Sequence, residues 1–333
     1  MEFINCWDDG RDVYVSRREN GKKVTDKIPF NWYFSLSLAE VRKKKGFFTD
    51  LKNKGAFFEL EKWNDEYVKM IMPRSTALPL IDRVLKPEGL TIYEGDVRPY
   101  QRYMADNEME LALDQKILYF DIETDDRGKG IEPGAARILS IACVDSDGKE
   151  FYNQIEEDTD KEEVKLLKWF KMMVDNYDIL EGWFSEGFDL VAIGRRCEKH
   201  GIQIDIQVME ESSEDLGGLH SVRKLGKFKA KMNSINHIDL MQKMKEMHYR
   251  DTELIKKVRS FSLSSVAKVI LNDDKVSLDG KGIYWLWQND QAKLQEYNMH
   301  DARLLKMIDD KMKITIQKLV EHQILHARVN DFT

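Results

Sequence analysis

Lys116-Ile117-Leu118-Tyr119-Phe120-Asp121-Ile122-Glu123-Thr124 is an apolar run that ends in two acids separated by one residue. The run is short, rich in β-branched and aromatic residues, and followed by a turn-prone segment, so it predicts a buried strand. Because successive side chains of a strand point to opposite faces, Asp121 and Glu123 share one face while Phe120 and Ile122 pack on the other. Two carboxylates on one face repel each other, and hard divalent cations can neutralise them. The alternative is that Asp-x-Glu only ends a strand.

Length and composition favour a two-domain, soluble globular protein. A chain of 333 residues exceeds one comfortable hydrophobic core, so we expect domains at 1–105 and 106–333. The formal net charge of −7 argues against a generic nucleic-acid-coating protein, although metal-dependent nucleases also have acidic sites. The three cysteines are far apart, which is typical of reduced thiols in a cytoplasmic setting. We find no export signal and no apolar run of membrane-spanning length, so we expect no membrane partner.

The pattern along the chain predicts a small strand-rich domain followed by an α/β domain. Near the N-terminus, an alternating segment, 12–17, and a turn, 19–23, predict a β-hairpin. From residue 117 onward, three strands at 118–124, 137–145 and 150–154 form a meander, and amphipathic helices alternate with a further strand. We expect the last helices to cover 288–311 and to extend to residue 326.

Two further acidic motifs follow the first one. Asp189 lies where a strand end turns into a helix, a position at which free amides and the helix dipole stabilise a carboxylate. Tyr297 and Asp301 are four residues apart in a helical segment and therefore project from the same face. Each motif alone predicts an N-cap or a solvated helix face. A strand Asp-x-Glu, a helix-start Asp and a helical Tyr-x-x-x-Asp in that order are much more specific.

With these motifs the sequence resembles the N-terminal domain and the 3′→5′ proofreading exonuclease domain of family B DNA polymerases. That exonuclease domain belongs to the DEDD exonuclease superfamily, and the resemblance at Tyr297 is to its tyrosine subtype. The resemblance covers most of the chain. Its residues are Phe120-Asp121-Ile122-Glu123-Thr124, Gly182 to Asp189, Tyr297 to Asp301, Ser262-Leu263-Ser264-Ser265-Val266-Ala267, Ile92-Tyr93-Glu94-Gly95-Asp96-Val97 and Gln101-Arg102-Tyr103.

The resemblance implies an RNase H-like fold and removal of 3′-terminal nucleotides from single-stranded or frayed DNA ends with two Mg²⁺ or Mn²⁺ ions. It also implies a role for each residue. Asp121 bridges both ions, Glu123 and Asp301 complete the site of the ion that activates water, and Asp189 holds the second ion. Tyr297 orients the attacking water, because its phenol is neutral at pH 7.

Two departures from the family pattern affect these expectations. The family usually has Asn where this chain has Phe184, which changes how this side of the cleft contacts DNA. The chain also stops at Thr333, where the family continues into the palm, and we find no Asp-Thr-Asp-Ser or Ser-Leu-Tyr-Pro motif. We therefore expect no polymerase activity, and the chain is either an excised fragment or one subunit of a split polymerase. Its expected location is the cytoplasm, in a nucleoid or in an infected cell.

Weaker signals concern DNA contacts and a partner chain. Cations alternate with apolar residues in 223–231, so a hairpin there would present a basic face to phosphates, or else form a charged edge strand. Trp285 and Trp287 would stack on unpaired bases or lie in the core. The apolar content of 302–326 predicts docking either on a separate polymerase-domain chain or on the N-terminal domain. The candidate DNA-contact residues are Phe184, Arg223, Lys224, Lys227, Lys229 and Lys231.

Two alternative functions share this fold and these residues. The first is a non-catalytic DNA-binding or scaffold subunit of a split polymerase. Retention of all four acids argues against it, since a carboxylate buried without a cation is costly. The second is an RNA-directed 3′→5′ exonuclease, because the motifs do not discriminate between sugars.

Overall fold

A computed structural model describes residues 2–128, 132–210, 228–250, 257–273 and 276–325, except for the side chains of 248–250. Contacts within this structure divide the chain into two compact units. One contains the residues up to Leu111 other than Gly21–Lys23, and the other contains Gly21–Lys23 and the residues from Ala112 onward. The domain boundary expected between residues 105 and 106 stays a prediction.

The first unit is built mainly of short strands. A hairpin joins its third and fourth strands through Asn20 and Gly21, whose φ angles of 51° and 79° give the left-handed pair that a tight two-residue turn requires. The predicted hairpin is therefore confirmed. The strands are β1 Glu2–Phe3, β2 Asn5–Asp8, β3 Asp12–Glu19, β4 Lys22–Pro29, β5 Tyr33–Ser37, β6 Glu59–Lys62, β7 Tyr67–Ile71, β8 Ile92–Tyr93 and β9 Glu110–Leu111, and the helices are α1 Leu38–Lys43, α2 Lys45–Asn53, α3 Arg74–Leu80, with a π-helical turn Ile81–Leu85, and α4 Pro99–Asp106.

Three sheets organise this unit. The strand orders are β2-β3-β4 and β6-β7-β5-β8, and β1 pairs with β9 in parallel. One core cluster contains Trp32, Phe34, Leu36 and Met70, all buried. Trp32 also donates its indole N–H to the carbonyl oxygen of Val97 at 2.8 Å, so its polar atom is satisfied within the core.

The second unit contains a five-stranded mixed sheet in the order β12-β11-β10-β13-β16. β10, β11 and β12 form the predicted antiparallel meander, whereas β10, β13 and β16 run parallel, so their carboxyl ends meet at one edge. A separate pair, β14 and β15, is antiparallel. The strands are β10 Ile117–Thr124, β11 Ile138–Asp145, β12 Glu150–Gln154, β13 Ile179–Gly182, β14 Gln207–Glu210, β15 Phe228–Lys231 and β16 Asn236–Asp239.

Helices cover both faces of the five-stranded sheet. They are α5 Asp160–Asn176, α6 Asp189–Lys199, α7 Leu240–Arg250, α8 Leu263–Leu271, α9 Ile283–Asn289, α10 Gln291–Met312 and α11 Ile314–Leu325. Phe120 and Ile122 of β10 share a core cluster with Phe170 of α5 and Leu190 of α6. On the opposite face, Ala142 and Val144 of β11 pack on Met299 and Ala302 of α10. This second face is the one toward which Asp121 and Glu123 alternate.

The observed architecture confirms the predicted class, an α/β domain preceded by a strand-rich region. The predicted helix at 288–311 is interrupted, because Asp290 ends α9 and its side chain accepts the N–H of Lys293 to begin α10. Trp287 is 5% exposed and donates to the carbonyl oxygen of Ile155, so it belongs to the core, whereas Trp285 is 41% exposed. Within the described ranges, no helix has the length and apolarity needed to cross a membrane.

Candidate metal centre and cleft

Three carboxylates from the first and third acidic motifs converge in the structure. Ligand atoms of Asp121, Glu123 and Asp301 all lie within 4.8 Å of one another. Asp121 and Glu123 come from β10, and Asp301 comes from α10, which packs across that face of the sheet. Asp301 is only 1% exposed, so its charge is far from bulk water. Closely spaced carboxylate oxygens are the ligand set that Mg²⁺ and Mn²⁺ prefer, so the residues present fit such ions.

Asp121 is oriented by a side chain that sequence reasoning missed. Asn298 of α10 is fully buried, and its Nδ2 donates to Asp121 Oδ2 at 2.7 Å. The Oδ1 of Asn298 in turn accepts the hydroxyl of Ser140, on β11, at 3.0 Å. This chain of hydrogen bonds fixes the rotamer of Asp121. The one sequence signal was that Asn298 follows Tyr297 in the third motif.

Asp189 lies beside this group, at the start of α6. It is 6% exposed, and burial raises the pKa of its carboxyl well above the usual value, with the charge of Asp121 as the next cause. The backbone N–H groups of Asp189 and Ile122 partly offset this rise. Asp189 lines the same cleft as Asp121, Glu123 and Asp301. The structure therefore brings all four predicted acids to the edge where the parallel strands β10, β13 and β16 end.

The turn between β13 and α6 explains why Asn would suit the position of Phe184. Phe184 has φ of +55°, in the left-handed region where Asn is tolerated better than an aromatic residue. The Phe184 ring packs on Gly187, where an added Cβ would come within 2.5 Å of the ring. Gly187 therefore has no room for a side chain while the ring keeps this position. The ring replaces polar contacts with an aromatic surface on this side of the site.

Asp239, at the end of β16, is a second buried acid that the motifs did not identify. It is 0% exposed and accepts backbone N–H groups from Phe184 and Glu186 of the turn, each at 3.1 Å. Burial and the charge of Glu186 raise the pKa of Asp239 to about 6. The segment His237-Ile238-Asp239-Leu240 is visibly apolar and acidic in the sequence, but nothing local shows which loop it holds.

A cleft of about 800 Å³ opens over the carboxylates. Tyr297 lines it together with Asp301, so the third motif presents its phenol and its acid to one space. Lys245, on α7, provides a cation in the lining. The cleft wall is aromatic for much of its extent, with Trp183 donating its indole N–H to the carbonyl oxygen of Phe261 at 3.0 Å. The aromatic residues that line the cleft are Trp183, Phe184, Phe188, Phe261 and Tyr297.

A second acidic group, Asp160, Glu163 and His200, also has ligand atoms within 4.8 Å, among the residues described. Here protein cations already surround the carboxylates. Glu163 is 0% exposed and binds the Arg196 guanidinium through both of its oxygens, with His200 Nε2 at 2.8 Å. Asp160 accepts from Arg137 Nη2 at 2.6 Å. This group is a structural ion-pair network, in contrast to the carboxylates of the cleft.

The candidate DNA-contact residues lie in different parts of the protein, and some of them lie outside the described residues. Phe184 lines the cleft. Lys229 and Lys231 lie on β15, where Lys229 Nζ contacts Glu186 Oε2 at 3.1 Å and Lys231 is exposed. Part of the charge of Lys229 is therefore used within the protein. Arg223, Lys224 and Lys227 lie outside the described residues.

A mixed sheet with helices on both faces and carboxylates gathered where its parallel strands end defines an α/β domain. The chain belongs to the RNase H superfamily, whose family model matches residues 118–313. This confirms the superfamily to which the sequence motifs pointed.

Similar proteins include several DNA polymerases. The chain is 23% identical over 261 residues to a DNA polymerase of Methanocaldococcus jannaschii. This alignment covers 72% of this chain and 15% of that polymerase. It is 24% identical over 271 residues to DNA polymerase II of Escherichia coli, covering 70% of this chain and 33% of the relative. For a DNA polymerase of Thermococcus kodakarensis, the identity is 24% over 231 residues, or 66% and 13% of the two chains. The match thus spans a third or less of each relative.

Proposed function

We propose that this chain is a two-metal-dependent 3′→5′ exonuclease that acts on DNA 3′ ends, the proofreading part of a DNA polymerase. The observation that carries the proposal is the convergence of ligand atoms of Asp121, Glu123 and Asp301 within 4.8 Å, with Asp189 lining the same cleft. Four carboxylates in one partly buried place repel one another, and that cost is offset when divalent cations bind there. The similarity to DNA polymerases supports DNA as the substrate.

Each residue has a distinct task in this proposal. Bound Mg²⁺ or Mn²⁺ would lower the pKa of water and neutralise charge on the phosphate and the leaving oxygen. Asp121 would contact both ions, Glu123 and Asp301 would hold one of them, and Asp189 would hold the other. Tyr297, which shares the cleft with Asp301, would orient the attacking water through its hydroxyl.

The lining of the cleft supports an unpaired DNA end as substrate. Aromatic side chains, including Phe184 and Phe261, border the space next to the acids. Stacking of bases on aromatic rings is sequence-tolerant, but it requires bases that have left the duplex stack. We therefore propose that Phe184 stacks on a base of the terminal nucleotides. Lys245, Lys229 and Lys231 would contact phosphates, with Lys229 contributing less because Glu186 already pairs with it.

The test is digestion of a 5′-labelled single-stranded DNA oligonucleotide with Mg²⁺, with Mn²⁺ or with EDTA. We expect a ladder shortening from the 3′ end, release of nucleoside monophosphates and no digestion in EDTA. Replacing both Asp121 and Glu123 with Ala should abolish metal binding and digestion together. Asp160→Ala is the matched control, since it removes an exposed acid from the ion-pair network and should leave digestion unchanged.

The same assay distinguishes the alternatives. Undiminished digestion by the double variant would show that these acids are not the metal site. Equal or faster digestion of an RNA oligonucleotide of the same sequence would favour the RNA-directed nuclease. Retention of labelled DNA in a gel-shift experiment, without digestion under any metal condition, would favour the non-catalytic scaffold.

The C-terminal helix supports a proposal about a partner. Ile316, Val320 and Ile324 of α11 recur every four residues and are 41%, 42% and 71% exposed, so they form an apolar stripe. We propose that this stripe contacts a polymerase domain on a separate chain. Size-exclusion chromatography with candidate polymerase chains tests it. Ile316→Ser with Val320→Ser should weaken a complex that the matched exposed change Gln317→Ser leaves intact, and equal elution of both variants would contradict this surface.

A further inference from the structure

Asp239 occupies a position that connects three elements of the second unit. It is the last residue of β16 and immediately precedes α7. Its Oδ1 accepts the N–H groups of Met241 at 3.0 Å and Gln242 at 3.3 Å, which caps the amino-terminal end of α7. A capping role alone would use only these two bonds.

The remaining bonds of Asp239 reach a different segment. Its Oδ1 accepts the N–H of Phe184 and its Oδ2 accepts the N–H of Glu186, both at 3.1 Å. These donors lie 55 and 53 residues away in the chain, in the turn that leads into α6. A fully buried carboxylate with bonds to both segments therefore fixes the turn relative to the end of the sheet.

The turn is hydrogen-bonded to the residues that flank Asp189. The carbonyl oxygen of Phe184 accepts the N–H groups of Gly187 at 3.1 Å and Phe188 at 3.0 Å, and the carbonyl oxygen of Ser185 accepts the N–H of Leu190 at 2.9 Å. Residues 184–185, held directly or through their neighbours by Asp239, are therefore bonded to the residues on both sides of Asp189. A shift of the turn would move the Asp189 carboxylate with it.

Besides the Lys229–Glu186 ion pair, contacts of Ser185 and of the Glu186 backbone also hold this turn. Ser185 Oγ lies 2.9 Å from His237 Nε2, and the carbonyl oxygen of Glu186 accepts the N–H of Ala230 at 2.8 Å. The left-handed backbone of Phe184, an unfavourable conformation for an aromatic residue, is bonded through its N–H to Asp239. Asp239 is thus placed to maintain a conformation that Phe184 would not adopt by preference.

Resting on the proposed function, we propose that Asp239 is a positioning residue that holds Asp189 at its place beside Asp121 and thereby sets the affinity for the ion that Asp189 holds. Such a hold matters because a metal ligand whose position is fixed before the ion arrives binds it more tightly than one that moves with its loop. Residues that orient metal ligands typically change metal affinity or activity by 10- to 100-fold when they are replaced.

A comparison of two variants separates positioning from simple electrostatics. Asp239→Asn and Asp239→Ser both remove the negative charge close to Asp189, and that loss alone would weaken the attraction for a cation by the same amount in both. The Asn side chain accepts hydrogen bonds with its oxygen but not with its NH₂ group. In Asp239→Asn, one of the two N–H groups of the turn therefore loses its acceptor. Asp239→Asn keeps one acceptor for the turn, whereas Asp239→Ser reaches neither N–H group. Positioning therefore predicts a larger loss of metal affinity in Asp239→Ser, whereas charge removal alone predicts the same loss in both variants.

The experiment measures Mn²⁺ binding by isothermal titration calorimetry and digestion of single-stranded DNA over a range of Mn²⁺ concentrations. Two variants are compared with the wild-type chain. Asp239→Asn keeps the size of the side chain, and Asp239→Ser keeps a good helix cap for α7 while being too short to hold the turn. Asp178→Asn is the matched control, because Asp178 is 1% exposed and bonds the N–H of Lys116, at the amino-terminal start of β13.

We expect both Asp239 variants to bind the weaker Mn²⁺ ion about 10- to 100-fold less tightly, with digestion restored by excess Mn²⁺ and with little change in the KM for DNA. Asp178→Asn should bind Mn²⁺ as the wild type does, even where its melting temperature falls. Wild-type affinity in both Asp239 variants, or an equal loss of affinity in both, would overturn this inference alone. A wild-type chain that binds no Mn²⁺ and digests nothing would overturn the proposed function, and this inference with it. If Asp239→Asn fails to fold, Asp239→Ser decides the question.

Discussion

Neutralising Asp121 should make the metal-free protein more stable while removing its proposed function. In the structure Asp121 lies within 4.8 Å of both Glu123 and Asp301, and its charge contributes to the raised pKa of Asp189. Asp121→Asn keeps the size of the side chain and can still accept the hydrogen bond from Asn298. The variant therefore loses repulsion without losing its orienting contact.

The distance sets the magnitude of this effect. Two unit charges 4.8 Å apart repel by about 0.9 kcal/mol in water and by about 3.5 kcal/mol at an effective dielectric constant of about 20. Because the carboxylates border an open cleft, where water screens their repulsion, we take a net gain of about 1–2 kcal/mol. For a unit of this size, that corresponds to a rise of roughly 2–8 °C in the melting temperature.

Differential scanning fluorimetry at pH 7.5, in EDTA and then in Mg²⁺ or Mn²⁺, measures this prediction. In EDTA the variant should melt above the wild type. At about 100 times the dissociation constant, the metal should stabilise the wild type by about 2.7 kcal/mol and the variant much less, so the order of melting temperatures reverses.

Asp125→Asn provides the matched control for the same loss of charge. Arg127 lowers the pKa of the Asp125 carboxyl through a hydrogen-bonded ion pair, so neutralising Asp125 should slightly lower the melting temperature and keep the metal response. The reasoning would be refuted if Asp121→Asn melted at or below the wild type in EDTA and still responded fully to metal.

Three further predictions address the site and the fold. Tyr297→Phe should slow digestion about 10- to 1000-fold while leaving Mn²⁺ affinity by calorimetry unchanged, since it removes one hydroxyl and no charge; an unchanged rate would exclude the water-orienting role. Glu163→Gln should destabilise the protein by about 3–5 kcal/mol in urea unfolding because it leaves Arg196 buried without its partner. Glu162→Gln, whose partner Lys165 is 60% exposed, should cost under about 1 kcal/mol; similar midpoints would contradict this. Burial, followed by the charge of Asp309, raises the pKa of Glu181, so the folded wild type loses stability as pH rises above about 4.5. The melting temperature of Glu181→Gln relative to wild type should therefore increase between about pH 5 and pH 8. A constant difference would show that Glu181 does not titrate in this range.

Local patterns were sufficient for the elements that carry the acids. Alternation along β10 predicted that Asp121 and Glu123 share a face, and helical spacing predicted the same for Tyr297 and Asp301, because these relations depend only on the geometry of one strand or one helix. The meander, the hairpin at Asn20 and the fold class follow from such patterns as well. The roles of the individual site residues stay predictions, to be tested as described above.

Only the tertiary structure decided how these elements are held together. Asn298 contacts Asp121 across 177 residues, and Asp239 contacts the turn at Phe184 across 55, so no local pattern could reveal either bond. The left-handed conformation of Phe184 likewise arises from its bond to Asp239 and the close packing on Gly187. Periodicity in a sequence specifies which face a side chain is on, whereas its hydrogen-bond partner depends on which distant segment the fold places opposite that face.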